Sequence, residues 1–174
     1  MTSSTLTPVI TDAGLQAAFN ANSTGLAAEI THIALGDAAY SPAANQLSLV
    51  HEVMRTPVAD GSPVTPTQIH LTALASGVLQ FWVKEVGFYL ADGTLFAVWS
   101  DPAQTLTYKA ANVDLLLAFD LSIAAIPAGS ITVQGTGQNL SLYYADELAH
   151  MAIAHLTTMH TQIQLESRLK SGGL

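Results

Sequence analysis

The sequence predicts an α+β fold: a β-rich globular domain of antiparallel, sandwich-like sheets over residues 1–140, carrying one short N-terminal helix. A long helix in residues 141–174 follows and forms a trimeric coiled coil or helical bundle. Three observations predict this. Apolar residues alternate with polar ones in several runs between residues 28 and 133, the period of half-buried strands. Gly and Pro clusters punctuate those runs. The stretch from Tyr144 to Lys170 contains neither Gly nor Pro, so at about 1.5 Å per residue it makes a helix about 40 Å long.

In chain order, Thr2 to Thr7 is Ser/Thr-rich and extended. Thr11-Asp12 offers an N-cap to a helix that includes Ala13 to Phe19 and ends by Gly25. From Ala28 the period changes: Ile33 and Leu35 alternate with His32 and Ala34, a strand closed by Gly36-Asp37. A loop follows, Ala38 to Gln46. Leu47 to Val58 reads as a second extended segment, with Pro57 at an edge or strand end because it has no N–H to donate. Asp60-Gly61-Ser62-Pro63 reads as a turn, and Thr67 to Leu74 as the next strand. Phe81 to Leu90 and Thr94 to Trp99 form a hairpin around Ala91-Asp92-Gly93. Val113 to Ile123 alternates over a long strand, and Ile131 to Val133 is a last short one.

The terminal helix has an apolar stripe, Leu148, Ala152, Leu156, Met159 and Ile163, advancing by four, four, three and four residues. Beside it runs an uncharged row that includes His155 and Gln162, and no Lys, Arg, Asp or Glu lies between Leu148 and Leu165. A face this wide and weakly polar suits three strands better than two. The expected trimer interface is therefore Leu148, Ala152, His155, Leu156, Met159 and Ile163. Asp146 and Glu147 in the first turn, and Arg168 and Lys170 in the last, suit the helix dipole.

Composition bounds the function. The net charge is −8, from 13 carboxylates against 5 Lys and Arg scattered along the chain, which argues against nucleic acid and against an anionic membrane surface as partners. No apolar run reaches the roughly 18 residues of a membrane span, and the N-terminus lacks a charged segment leading into an apolar one, so a soluble chain is expected. Only 10% of the residues are charged, so much of the surface is either neutral and polar or covered by other protein. Cysteine is absent, and with it disulfides, thiolate metal sites and cysteine nucleophiles.

Catalytic patterns are also missing. There is no nucleophile elbow, phosphate-binding loop or His-Glu-x-x-His. Asp114 and Asp120 share a strand face but stand about 20 Å apart, too far for paired-carboxylate hydrolysis. His150, His155 and His160 are spaced by five, which points neighbours in different directions and prevents chelation within one chain. In a trimer, His155 is the histidine best placed for one copy from each chain to meet on the axis, expected as packed or solvated imidazoles in preference to ligands of an axial ion or anion. His32, His51 and His70 are expected to be satisfied strand histidines, so no metal and no cofactor is expected. Arg55, Lys84 and Glu85 interrupt apolar strands. A charge there must pair, reach solvent or meet a partner, and Arg55 is expected to pair with Glu85 or Glu52 or to serve as a docking contact.

Several segments together carry a resemblance. Asp12-Ala13-Gly14-Leu15, Ile30 to Asp37, Glu52 to Pro57, Val83 to Tyr89 and Asp92 to Val98 resemble, in order and spacing, the amino-terminal domain of phage tail-collar fibre proteins across about residues 9–125. The resemblance implies a structural virion protein of a contractile-tailed phage or related particle, in which a trimeric fibre is fastened to baseplate wedge proteins. It also implies a helical segment that gathers three chains. This sequence stops after that helix, which fits a short fibre or an adaptor whose end accepts a further distal fibre protein. For docking, the loop after Asp37 and the N-terminal segment are expected, with Asp37, Tyr40 and Arg55 as candidate residues. The alternative is a carbohydrate-binding, receptor-recognition module lined by Trp82, Trp99, Tyr40 and Tyr108. A cluster of exposed aromatics favours it, whereas Trp82 and Trp99, lying in the hairpin, are expected in the core.

Overall fold

The structure is a computed structural model, described for residues 7–124, 126–127 and 129–136. The expected helix in 141–174 and its interface residues lie outside the described residues. Among the described residues no helix is long and apolar enough to cross a membrane.

The first strand, β1 (Val9–Ile10), leads into helix α1 (Asp12–Ser23). Thr11 is the N-cap: its Oγ1 accepts the Gly14 N–H at 2.9 Å and donates to the Leu95 carbonyl, so the cap also ties the helix to the sheet. Gly14 is required by packing. A Cβ there would lie 2.5 Å from the Phe96 carbonyl oxygen and 2.6 Å from its Cα, against backbone that cannot swing aside.

Then come β2 (Ala28–Gly36), β3 (Glu52–Thr65), β4 (Gln68–Ala75), β5 (Phe81–Val83), β6 (Glu85–Leu90) and β7 (Leu95–Ser100). The last are β8 (Thr107–Lys109), β9 (Leu115–Ser122) and β10 (Ile131–Val133). Seven strands run in the order β1-β7-β6-β2-β3-β4-β9, all antiparallel, and β10 joins β2 in parallel. The sandwich-like layering is thus one curled sheet. β3 is the strand that turns it: Glu52–Pro57 pairs with β2, and Val58–Thr65 leaves β2 to pair with β4. β10 enters the fork so opened. It pairs with Ala28–Ile30, and beyond it Gln134 N–H donates to Ile30 O and Thr136 N–H to Val58 O. The curl lays β9 over β6, where Phe119 meets Phe88 edge to face at 5.6 Å.

The main core lies inside the curl and includes Ile33, Leu35, Val86, Phe88, Leu117 and Leu121, with α1 contributing Ala18. On the opposite face, Ala34, Tyr89, Leu95 and Val98 pack with Leu49 from the β2–β3 loop.

Three sequence expectations need correction. Asp60-Gly61-Ser62-Pro63 does not end a strand; it lies within β3, where the register shifts between Val58 and Asp60 and Asp60 Oδ1 accepts the Gly61 N–H at 2.8 Å. Turn-forming residues here make a bulge, and the chain reverses after Thr65. The extended segment expected from Leu47 starts as strand only at Glu52. The hairpin's first strand is β6 alone, since β5 pairs separately with β8 in a two-stranded ribbon. That break turns Trp82 outward at 56% exposure, whereas Trp99 packs against the core.

Candidate functional site

The loop from Asp37 to His51 lies across one face of the sheet and is held there by a buried carboxylate. Glu85, the first residue of β6, is fully buried and stands opposite Gly36. Its Oε2 accepts the Tyr40 hydroxyl at 2.9 Å and the Val50 N–H at 2.9 Å, and its Oε1 accepts the His51 N–H at 2.7 Å. Three donors from both ends of the loop therefore converge on one side chain, which is how an ionised carboxylate is accommodated away from water. Gly36 leaves the space, because a Cβ there would overlap Glu85 Oε1 and the His51 carbonyl.

Tyr40 is the hub of the loop. Its hydroxyl donates to Glu85 and accepts from Gln46 Nε2 at 2.8 Å, and its N–H donates to Ser100 Oγ at 3.1 Å. Burial, opposed by the Gln46 hydrogen bond and reinforced by Glu85, pushes the Tyr40 hydroxyl up to about 12. Leu49 anchors the loop's far end: its side chain enters the second core and its N–H donates to the Tyr89 hydroxyl at 3.3 Å.

Arg55 lies over the Tyr89 ring at 3.7 Å from the centroid and grips Glu52 through two bonds, Nε to Oε1 at 2.8 Å and Nη2 to Oε2 at 2.7 Å. Of the two partners expected for Arg55, it takes Glu52, and Glu85 serves the loop. The Glu52 hydrogen bond raises the Arg55 guanidinium further, while burial raises the Tyr89 hydroxyl. Asp37 pairs with His51 through Oδ1 and Nδ1. The structure thus brings Asp37, Tyr40 and Arg55 to the same loop and its flanking strand, each engaged by an internal partner. Outward, the loop offers Leu47 at 74% and Val50 at 64% exposure, two apolar side chains on a rigid mount.

Glu85 is enclosed by its three donors. The other strand histidines have local partners: His70 Nδ1 pairs with Asp120 at 2.7 Å and His32 Nδ1 with Thr31 Oγ1 at 2.9 Å. Among the described residues no three His, Asp or Glu side chains come together as a metal would require.

A second feature is the β5–β8 ribbon. Trp82 and Tyr108 are register partners on its outer face, with ring centroids 4.8 Å apart, and Tyr108 is 41% exposed. Beneath them Lys109 is fully buried, and its Nζ donates to the carbonyls of Ala110 at 2.7 Å and Gly77 at 3.1 Å. Sequence reasoning missed the roles of Glu85 and Lys109. The available signal was a charge at an inward-pointing position of a strand, which must be fully satisfied to be there.

The described residues thus form a curled antiparallel sheet with a short α1 packed against it and a clamped loop across one face. The chain matches the family model described as phage tail-collar fibre protein, N-terminal, over residues 2–125, and it belongs to that family. It is a structural tail fibre protein whose place is the virion tail. No match was found among curated proteins or among solved structures.

Proposed function

We propose that this chain fastens a fibre to the baseplate of a contractile tail, as a homotrimer gathered by the helix expected in residues 141–174. The observation that carries this is the family match over residues 2–125, which covers the whole curled sheet except β10. The β domain, residues 1–140, docks to baseplate wedge proteins. The helix uses Leu148, Ala152, His155, Leu156, Met159 and Ile163 as its threefold seam and presents its end to a further distal fibre protein. The docking element is the loop from Asp37 to His51, bordered by Arg55. Its exposed Leu47 and Val50 supply apolar contact, and Glu85 and Tyr40 fix its shape before binding, which lowers the ordering cost of association.

Light scattering on the full chain and on residues 1–140 tests the trimer: three chains in the first and one in the second are expected. A monomeric full chain at micromolar concentration refutes it. Sedimentation with fibreless tails tests docking. Leu47→Asp with Val50→Asp is expected to abolish co-sedimentation while leaving the mass unchanged, and undiminished binding removes the loop from the reading.

One observation favours a second reading, a neutral glycan site at Trp82 and Tyr108. At roughly 150–250 Å² for a large aromatic side chain, exposures of 56% and 41% leave on the order of 200 Å² of ring surface open. That is small beside the about 800 Å² per partner of a standard protein interface and comparable to one or two sugar rings. Quenching of Trp82 fluorescence by glycans, absent in Trp82→Ala, supports it; no glycan bound across an array removes it.

A further inference from the structure

We infer that the outer edge of β9 is a strand-addition site for an extended, neutral-to-basic peptide strand of the docking partner. This deepens the attachment reading and rests on it. The Ile123 N–H donates to Thr67 O at 2.8 Å, which fixes the phase of the β9–β4 ladder. Hydrogen bonding alternates along an antiparallel pair, so Leu117, Phe119 and Leu121 bond to β4, whereas Leu116, Ala118 and Asp120 turn their N–H and C=O groups away from it. β9 ends the strand order, and among the described residues nothing bonds those outward groups. Over eight residues, about 27 Å, the edge offers an open ladder.

Natural edges are guarded by lysines, prolines, inward charges or brevity. At the opposite end of the sheet β1 has two residues and follows Pro8. β9 is long and has no Lys, Arg or Pro: Leu-Leu-Leu-Ala-Phe-Asp-Leu-Ser carries a single charge, Asp120, which is paired with His70. Alongside it runs an apolar groove of about 210 Å³, lined by Leu106 and Thr107 of the β8 side and by Leu115 to Phe119. An open ladder beside pockets for alternate side chains is the geometry of strand addition, with main-chain bonds giving affinity and the groove giving selectivity.

Charge chooses the occupant. Exposed Asp114 and Asp120 stand at either end of the edge, and the chain as a whole carries −8. A second copy pairing β9 with β9 brings four carboxylates to one seam and makes a twofold contact, at odds with a threefold fibre. A foreign strand with apolar residues alternating and a Lys or Arg near each end satisfies the ladder, meets Asp114, and adds a cation beside Asp120, which His70 already holds on one side.

The probe is the peptide Lys-Val-Thr-Val-Thr-Val-Lys with blocked termini, added to the full chain and read by amide hydrogen exchange. Slowing of about tenfold at Leu116, Ala118 and Asp120 is expected, one hydrogen bond's worth at each. Ala118→Pro removes an outward N–H without touching a β4 bond, so it is expected to keep the wild-type melting temperature and weaken the peptide about tenfold. Ala118→Lys, a guarded edge, is the second variant and is expected to do the same. The inference is overturned if a peptide N-methylated at the threonines, whose N–H groups face Ala118 and Asp120 when the valines fill the groove, binds equally, or if glutamates in place of the lysines do not weaken binding. It is also overturned if the three amides are already as slow as Leu117 and Phe119 in the free chain. Failure here with wild-type co-sedimentation of Ala118→Pro on tails leaves the attachment reading standing; loss of co-sedimentation by the Leu47→Asp and Val50→Asp chain alone locates attachment at the loop.

Discussion

Replacing Glu85 by Gln removes one charge and one acceptor from the interior while keeping the side-chain shape. The oxygen facing His51 N–H remains an acceptor, but the other position becomes an NH₂ group facing the Val50 N–H and the Tyr40 hydroxyl. Tyr40 can rotate its proton and accept, whereas Val50 N–H cannot. The loss is one charge-assisted bond, about 1.5–3 kcal/mol, and the weakening of a second as the acceptor becomes neutral, so about 2–4 kcal/mol in total is expected. Glu85→Ala leaves all three donors without an acceptor and is expected to cost about 3–5 kcal/mol. Glu52→Gln is the control, a half-exposed partner of Arg55 expected to cost about 1 kcal/mol or less. Urea unfolding of the full chain gives the energies, and hydrogen exchange locates them: the Val50 and His51 amides are expected to speed up in Glu85→Gln before any core strand does. A Glu85→Gln chain within about 0.5 kcal/mol of wild type, or one in which these two amides are unchanged, refutes the clamp.

Gly14→Ala is expected to destabilise the fold by about 1–3 kcal/mol in thermal unfolding despite alanine's better helix propensity, because its Cβ meets Phe96 backbone; a stabilised variant contradicts the packing. Lys109→Met keeps the volume and drops a buried ammonium, so it is expected to stay within about 1 kcal/mol of wild type, while Lys109→Ala loses about 2–4 kcal/mol; equal losses in urea unfolding refute this. Tyr40, with its folded pKa raised from 10.0 to about 12, contributes stability that is complete below pH 10 and is lost as pH rises toward 12. Tyr40→Phe is expected to flatten that alkaline loss, read by urea midpoints across the range, and an unchanged slope contradicts the assignment.

The parts of the fold legible in the sequence are those whose cause is local. The Thr11 cap and helix α1, the alternation of β2 and β9, and the Asp92-Gly93 turn, where Gly93 has φ 86°, follow from spacing and turn chemistry. The rest depends on partners distant in sequence. Asp60-Gly61-Ser62-Pro63 has the same local chemistry whether it makes a turn or a bulge, and what decides is β10: Val133 packs where a Gly61 Cβ would sit, in the fork β3 opens. Trp82 is expected in the core as part of the hairpin, and it is instead 56% exposed. Its exposure depends on β5 pairing with β8 instead of continuing the hairpin, a choice between partners that periodicity does not encode. In the Asp37–His51 loop, the segment after Asp37 is legible as a docking candidate from its expected exposure. The carboxylate that shapes it, 48 residues downstream of Asp37, is not.

The low charge of this chain has a sharper meaning once its ions are located. Glu85 and Lys109 are wholly interior, where each serves as a pin for backbone and loop and adds nothing to solvation of the surface. Arg55 and Glu52 neutralise one another, and His51 and His70 occupy Asp37 and Asp120. Glu85 and Lys109 are thereby withdrawn from the few charges the surface has. Apolar features on that surface include Leu47 and Val50 on the clamped loop, Trp82 with Tyr108 on the ribbon, and the edge of β9. Each is a liability on a solitary domain and an asset on a part that is covered when the particle assembles. The fold takes two charges inside as fasteners and leaves an acidic, sparsely charged exterior in which these apolar features stand uncovered.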